Sequence, residues 1–204
     1  MSPRRETCRV MVAMPDSRRA EIVERVRAAC ESGQQAYWVC PLIDESEQLD
    51  YQAAEASFEA LQKALPSLTV GLVHGRMKAS QKDRVMRAFK DGQIQVLVAT
   101  TVIEVGVDVP NASVILIEDA ERFGLAQLHQ LRGRVGRGAE ESYCILLADG
   151  PEPDRLHGFA ASQDGFEIAE LDLQERGMGD LIGARQSGAI EVHDYTSDST
   201  CPGI

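Results

Sequence analysis

The sequence lacks the phosphate-binding loop Gly-x-x-x-x-Gly-Lys-Ser/Thr, whose backbone N–H groups cradle nucleoside triphosphates in many motor proteins. No Asp-Glu pair follows an apolar strand in the manner of a magnesium-binding motif either. The sequence therefore contains neither the phosphate-binding loop nor the magnesium-binding motif of such a motor. We expect it to be one half of a larger machine, with a partner lobe supplying those parts.

Other features are scarce or missing as well. The five cysteines show no CxxC or metal-ligand spacing, which argues against a disulfide framework and against a zinc site. No signal peptide and no apolar run of transmembrane length occurs, so the cytoplasm is the expected compartment. Aromatic residues make up only 5% of the chain against 44% apolar residues, which predicts an aliphatic core.

The charge is strongly negative. A formal net charge of −11 argues against a generally basic, nucleic-acid-binding surface, although a local basic strip on an acidic body stays compatible with it. The acidic residues are concentrated in 44–59 and 140–180, on either side of a cluster of arginines. We interpret both acidic stretches as solvated surface, because neither has the spacing of metal ligands.

Apolar runs alternate with helical patterns along the chain. Strands are predicted over 8–13, 36–40, 69–73, 95–99, 113–117 and 143–148. Helices are predicted between most of them; Asp16 or Ser17 is the expected N-cap of the first, and a capping box from Ser80 to Asp83 opens another. The acidic stretch 44–50 is predicted to be a loop. This alternation predicts βαβ units and a parallel sheet that is covered on both faces.

The length of 204 residues fits one sizeable domain with an appendage, or two small ones. A natural boundary is the proline-containing stretch 150–153, beyond which the pattern turns helical and then glycine-rich. We therefore divide the chain into residues 1–150, the sheet domain, and residues 151–204, a helical hairpin with a frayed tail.

Two segments about twenty residues apart are the most informative part of the sequence. Segment 97–110 runs from an apolar strand into a loop with a hydroxyl, a glycine and two carboxylates. Segment 127–138 places three arginines between glycines: Arg132, Arg134 and Arg137. Hydroxyls, a carboxylate able to bind ribose, and clustered guanidinium groups suit nucleoside triphosphates and the phosphates of nucleic acid.

These segments resemble superfamily 2 helicases. Residues 100–110 are similar to motif V of that superfamily, residues 130–137 to motif VI, and residues 73–77 to the motif just after motif IV. Gln130 stands where many members have histidine. Together these motifs are highly specific, whereas each alone would be a weak signal.

The resemblance is closer to one family, the RecG branch-migrating DNA helicases, and covers roughly residues 10–188. It is carried by segments 35–46, 107–113 and 123–132. Residues 164–188 resemble the translocation hairpin that this family shares with the transcription-repair coupling factor. The resemblance implies that the first motor lobe and the DNA-junction wedge are not in this sequence, that Met1-Ser2 is not the natural start, and that the chain stops before the family's C-terminus.

At the nucleotide, the resemblance implies that Arg134 and Arg137 are arginine fingers. They would reach the γ-phosphate of ATP held by the other lobe and stabilise the charge of the phosphoryl-transfer transition state. Positions matching nucleotide-facing residues are Glu104, Gly106, Asp108 and Gln130. Alternative interpretations are a surface arginine loop paired with carboxylates, and Asp108 as a cap of a strand-end turn.

At the DNA, the resemblance implies phosphate contacts from residues at two strand ends: His74, Gly75, Arg76, Thr100 and Thr101. Such contacts position a strand without reading its bases. The alternatives are ordinary capping by Thr100 and a structural role for His74. Tyr37 and Trp38 lie in a strand interior, and we expect them in the core and not on a base-stacking platform.

In the glycine-punctuated C-terminal run, the resemblance implies a translocation hairpin with Arg176, Arg185 and Gln186 as its working residues. Glycines there would act as hinges and as points of close packing. The alternative is a packed pair of C-terminal helices.

The sequence thus predicts a RecA-like α/β lobe with helices on both faces of a parallel sheet, followed by a small helical hairpin. The resemblance implies the second motor lobe of an ATP-dependent double-stranded DNA translocase that remodels branched DNA in repair and recombination. ATP and Mg2+ would be held mainly by the first lobe. Partners would be branched or double-stranded DNA, the N-terminal motor lobe and the wedge domain of the same protein, with no membrane, and the chain alone would be inactive.

Two other readings stay open. One is a lobe of the transcription-repair coupling factor or of another superfamily 2 translocase, although segments 37–41 and 111–113 favour the RecG family. The other is a non-catalytic interaction module with this fold, which the presence of Arg134 and Arg137 argues against.

Overall fold

The computed structural model describes residues 8–13, 15–41, 47–100, 109–136, 141–148 and 154–171. The strands in these ranges are β1 (Arg9–Ala13), β2 (Gln35–Cys40), β3 (Val70–Val73), β4 (Val96–Thr100), β5 (Ala112–Ile117) and β6 (Tyr143–Leu147). The helices are α1 (Pro15–Glu31), α2 (Glu47–Ala64), α3 (Ala79–Lys90), α4 (Leu125–Arg132) and α5 (Asp154–Ala161). A 3₁₀ turn covers Ala120–Arg122, and residues 165–171 are also helical.

The six strands form one parallel sheet in the order β1-β6-β5-β2-β4-β3. Every residue of β2, β4 and β5 is buried. Central strands of a parallel sheet are covered on both sides, which is why they read as continuous apolar runs and not as an alternation. The predicted parallel α/β architecture is confirmed, and each of the six predicted strands is present.

Helices cover both faces of the sheet. On one face α3, α4 and α5 pack through apolar side chains that include Phe89, Leu128 and Phe159. On the other face α1 and α2 pack through Ile22, Val26, Ala54 and Leu61. Because successive strand residues point to opposite faces, neighbouring positions of one strand enter different cores.

Tyr37 and Trp38 illustrate that alternation. The Tyr37 ring packs edge-on against Phe89 in the first core, with 5.0 Å between the ring centroids. Trp38 is completely buried in the second core, and the guanidinium of Arg19 lies 5.5 Å from its ring centroid. Both residues are therefore core residues, as the sequence predicted.

The starts of three helices differ from the prediction. Helix α1 begins at Pro15, so Asp16 and Ser17 lie in its first turn instead of capping it; proline suits this position because the first helical N–H needs no partner. Helix α2 begins at Glu47, so the predicted loop is wrong for 47–50. Acidic side chains near a helix N-terminus are stabilised by the helix dipole, which favours helix there.

Helix α3 begins one residue before the predicted cap. Its first residue is Ala79, and the backbone N–H of Lys78 donates to Oε1 of Gln81 at 3.1 Å. The prediction that Ser80 caps this helix is wrong. Gln81 is the third residue of the helix that forms, and its side chain satisfies the backbone N–H of the cap residue Lys78, whereas Asp83 would hold that position in a helix capped by Ser80. The sequence therefore located the helix but not its first residue.

Gln35, at the start of β2, is a buried amide that fastens α3 to the sheet. Its Nε2 donates to the carbonyl oxygens of Phe89 at 2.5 Å and of Ile94 at 2.7 Å. We expect Gln35→Met to lower the free energy of unfolding by about 1–3 kcal/mol, because the Ile94 carbonyl loses this donor and the Phe89 carbonyl keeps only the N–H of Gly92. Urea denaturation of the chain measures this loss. The control is Gln93→Met at an exposed position, expected within about 0.5 kcal/mol of the wild type; equal losses in both variants would contradict the assignment.

Candidate functional site

The carboxyl ends of β3 and β4 form one edge of the sheet. The register pairs Val73 with Ala99, so His74 and Thr100 follow in step at two neighbouring strand ends. Open α/β sheets bind their ligands at this edge. The structure therefore brings His74 and Thr100 to one edge of the sheet, and both were predicted from the sequence to contact DNA phosphates.

Thr100, the last residue of β4, carries an unusual hydroxyl. The residue is only 3% exposed, and within the described part of the chain its Oγ1 is buried without a hydrogen-bond partner. An unpaired buried hydroxyl costs free energy, and such groups in native structures call for an explanation. A phosphate oxygen arriving at the strand end would supply the missing partner.

His74 is held by the neighbouring helix. Its ring packs edge-on against Tyr51 of α2, with 4.7 Å between the ring centroids, and the Tyr51 hydroxyl donates to the carboxylate of Glu55. Burial of the imidazole lowers the pKa of His74, so the ring is neutral near pH 7. Its Nδ1 has no partner among the described residues.

The turn after His74 is open. Gly75 and Arg76 are exposed, and a Cβ on Gly75 would meet nothing within 4 Å. An exposed protein backbone beside a guanidinium group permits close approach of a phosphate group of a nucleic-acid strand. The sequence did not single out Tyr51, because it predicted loop up to residue 50 and gave no sign that this ring would meet His74.

The arginine-rich segment begins at the end of α4. Gln130 lies exposed on the last turn, and Arg134 is half-buried just beyond it. The N–H of Arg134 donates to the Leu131 carbonyl at 3.0 Å, and the chain then turns through Gly136, whose φ is +82°. A positive φ favours glycine, so this turn fixes the path of the backbone directly after Arg134.

Arg132 differs from the expectation for the cluster. It is only 7% exposed, and its Nη1 donates to the Ser162 carbonyl at 2.7 Å. The guanidinium therefore faces inward and is occupied by backbone, so the sequence was wrong to group Arg132 with the phosphate-binding arginines. The partner lies 30 residues further along the chain, which no local pattern reveals.

A second polar cluster, also missed by the sequence, lies after β5. Glu118 accepts hydrogen bonds from Arg19 at 2.5 Å, from Ser57 at 2.8 Å and from the Cys40 thiol at 3.3 Å. Burial and the neighbouring carboxylate raise the pKa of Cys40, which keeps the thiol protonated. Both carboxylate oxygens are used, so this cluster ties α1 and α2 to the strand ends and does not offer a ligand site.

Several predicted site residues lie outside the described residues, and their roles stay predictions: Thr101, Glu104, Gly106, Asp108, Arg137, Arg176, Arg185 and Gln186. Among the residues that the structure does describe, no group of three or more His, Cys, Asp or Glu side chains could hold a metal ion. In the same residues, none of the helices has both the length and the apolar character needed to cross a membrane.

The fold and this edge define a class of protein, the open α/β lobes that bind ligands at the carboxyl ends of their strands. Residues 18–139 match the family described as helicase conserved C-terminal domain, and the chain belongs to that family. The chain is 60% identical over 185 residues to the ATP-dependent DNA helicase RecG of Escherichia coli (strain K12), a match that covers 88% of this chain and 27% of that protein.

A second relative and a solved structure are also RecG proteins. The chain is 49% identical over 204 residues to the ATP-dependent DNA helicase RecG of Thermotoga maritima, covering 97% of this chain and 26% of that protein. It also superposes on a solved structure of RecG bound to a three-way DNA junction with a TM-score of 0.74 and 46% identity, covering 89% of this chain and 24% of the other. The chain thus spans about a quarter of the relatives it matches. The resemblance to the RecG family and the RecA-like lobe are confirmed.

Proposed function

We propose that this chain is the second motor lobe of an ATP-dependent, double-stranded DNA translocase that remodels branched DNA in repair and recombination. The lobe would act within a longer protein, called the full-length protein below. The observation that carries the proposal is the buried hydroxyl of Thr100 beside His74 at the strand ends, which has no hydrogen-bond partner among the residues that the structure describes. The similarity to RecG, which has been solved on a three-way DNA junction, supports the choice of substrate.

On the DNA side, the strand-end residues would hold backbone phosphates. Thr100 would donate its hydroxyl, and Arg76 would supply charge at an exposed turn next to Gly75 and His74. Thr101 would join them on the sequence match alone. Because these groups address phosphate and not base edges, the motor would track DNA of any sequence.

On the nucleotide side, the positive charge of Arg134 suits the phosphate end of ATP. Arg134 lies at a helix end between Gly133 and the positive-φ Gly136, where the backbone allows close approach. Arg134 and Arg137 would stabilise the negative charge that develops on the γ-phosphate. When bound, ATP supplies the phosphoryl group whose transfer to water drives the motor.

The remaining nucleotide contacts are proposed from the sequence match: Glu104, Gly106, Asp108 and Gln130. Gln130 is exposed on the last turn of α4, which leaves its amide available to a ligand. We place most contacts to ATP and Mg2+ in the first motor lobe, because the phosphate loop is missing from this sequence.

In the full-length protein, a translocation hairpin would follow the lobe, and two further domains would contact it. Residues 1–150 would form the lobe, and residues 151–204 would contain the translocation hairpin with Arg176, Arg185 and Gln186. The partners would be branched or double-stranded DNA and, within the full-length protein, the first motor lobe and the wedge domain. Action on DNA, together with the free cysteines in the described ranges, favours the reducing cytoplasm as the compartment.

The substitution Thr100→Val tests the DNA side. It removes a hydroxyl that has no partner within the described ranges and keeps the shape of the side chain, so we expect the free energy of unfolding to stay within about 1 kcal/mol of the wild type. Affinity of the full-length protein for a three-way junction should fall roughly 10-fold or more, because a hydrogen bond to a charged phosphate is lost. Fluorescence anisotropy at fixed salt measures the affinity.

Thr69→Val is the matched control, since Thr69 is exposed just before β3 at the opposite end of the strands. It should bind the junction like the wild type. If Thr100→Val lost stability yet bound the junction normally, the hydroxyl would be a structural group and the proposed DNA edge would be wrong.

A further inference from the structure

Arg132, the last residue of α4, is enclosed by one short stretch of chain. Its Nη1 donates to the Ser162 carbonyl at 2.7 Å, and its Nη2 reaches the Gln163 carbonyl at 3.4 Å. The guanidinium carbon lies 4.7 Å from the ring centroid of Phe159 in α5. Nη2 also lies 2.9 Å from Nδ1 of His129, one turn earlier in α4.

These contacts define the state of His129. An arginine only donates, so Nδ1 of His129 accepts and its ring proton lies on Nε2. Burial and the neighbouring Arg132 lower the pKa of His129, which agrees with a neutral ring. Arg132 and His129 together therefore carry one buried positive charge, on the guanidinium of Arg132. That charge is in contact with two backbone carbonyls, the imidazole of His129 and the ring of Phe159.

A buried arginine with these contacts links two parts of the chain and does not bind phosphate. Burying a charge is costly unless its donors are met, and here the contacts recorded within the described ranges are backbone carbonyls, a ring nitrogen and an aromatic face. Releasing Arg132 towards a phosphate would take its guanidinium away from the carbonyls of Ser162 and Gln163. Arg134, two residues on, is half-buried.

The chain that Arg132 holds leads directly into the helical segment 165–171. The Ser162 hydroxyl donates to Oε2 of Glu167 at 2.6 Å, and the N–H of Phe166 donates to Oδ1 of Asp164 at 2.8 Å. A Cβ on Gly165 would lie 3.1 Å from Nε2 of His129, so this backbone is pressed against α4. Ile168 is buried in the same core as α4.

We propose that Arg132 is a positioning residue that joins the end of α4 to the segment 162–171, so that a displacement at Arg134 is passed to the chain beyond it. The inference rests on the proposed function, in which Arg134 contacts ATP and therefore moves when ATP is bound or hydrolysed. It assigns different tasks to neighbouring arginines: Arg134 acts on the ligand, and Arg132 transmits. The transmitted motion would reach the part of the chain where the hairpin is proposed.

The test uses the full-length protein with Arg132→Met, which keeps contact with Phe159 but loses the charge and the hydrogen bonds. Amide hydrogen exchange in 165–171 should rise about tenfold or more, because the segment loses its fastening. The KM for ATP should stay within about twofold of the wild type, and the ATP consumed per three-way junction converted should rise about fivefold. The control Arg122→Met, at an exposed arginine just before α4, should change none of these.

A second variant guards against a simple folding defect. Gly165→Ala leaves Arg132 in place and pushes on His129, so it should raise exchange in 165–171 and the ATP cost per junction in the same direction, by about two- to threefold. A raised KM for ATP in Arg132→Met with unchanged exchange would overturn the proposal and make Arg132 a phosphate ligand. Unchanged ATP cost with raised exchange would reduce Arg132 to a structural residue.

The proposed function and the transmission through Arg132 can fail separately. A wild-type protein without DNA-stimulated ATP hydrolysis would overturn the proposed function and the transmission together. The exchange measurement would still decide whether Arg132 fastens 165–171, because it needs neither ATP nor DNA.

Discussion

Arg134→Ala in the full-length protein is expected to lower DNA-stimulated ATP hydrolysis by about 10³-fold, the effect of losing an arginine that stabilises phosphoryl-transfer charge. The loss should fall on kcat, with a change in the KM for ATP of roughly threefold or less, because the charge develops in the transition state. A coupled ATPase assay with saturating three-way junction measures both constants. Arg137→Ala should behave in the same way, as the second proposed finger.

The matched control is Arg122→Ala, which removes an exposed arginine that lies 3.9 Å from Asp119 on the surface. An exposed ion pair contributes little, so hydrolysis by this variant should match the wild type. If Arg134→Ala raised KM and left kcat intact, Arg134 would bind ATP without acting on the transition state. If it changed neither constant, the guanidinium would be structural and the finger would be another residue.

The 204-residue chain by itself is expected to hydrolyse ATP at least about 10³-fold more slowly than the full-length protein. The physical reason is the missing Gly-x-x-x-x-Gly-Lys-Ser/Thr loop: without backbone N–H groups around the phosphates, the arginines have no positioned substrate. Phosphate release from the purified chain with Mg2+-ATP and junction DNA measures the rate.

This prediction has an internal control. In the isolated chain Arg134→Ala should cause no further loss, since the arginine has nothing to stabilise there. The cooperative urea transition used for Gln35→Met shows whether the chain is folded during the assay. Magnesium-dependent turnover by the folded chain that falls in Arg134→Ala would mean that the lobe holds a complete site, and the division of the motor into two lobes would be wrong.

The six strands were predictable from the sequence because buried parallel strands are uninterrupted apolar runs, as in Val96–Thr100 and Ala112–Ile117. The strand order was not, since β5 lies beside β2 and β6 beside β1 through contacts between distant residues. Helix starts were the weakest part of the prediction. Local cap preferences pointed to Asp16 or Ser17 for α1 and to Ser80 for α3, whereas the helices begin at Pro15 and Ala79. At α3 the Gln81 side chain satisfies the backbone N–H of Lys78 instead.

The candidate site divides in the same way. Thr100 and His74 were found because their motifs are contiguous in sequence, and a parallel sheet brings the ends of neighbouring strands together. The inward turn of Arg132 was not predictable, because its partners Ser162 and Phe159 are distant in sequence. The hydrogen bonds of Glu118 likewise join β2, α1 and α2, which only the folded chain brings together.

The most direct test of the central claim is the ATP hydrolysis rate of the full-length protein with and without a three-way DNA junction. The account predicts hydrolysis that is low without DNA and rises at least about tenfold with the junction, at any base sequence of the junction arms. Hydrolysis that ignores the junction, or that no nucleic acid stimulates, would contradict the claim that this lobe belongs to a motor driven on branched DNA.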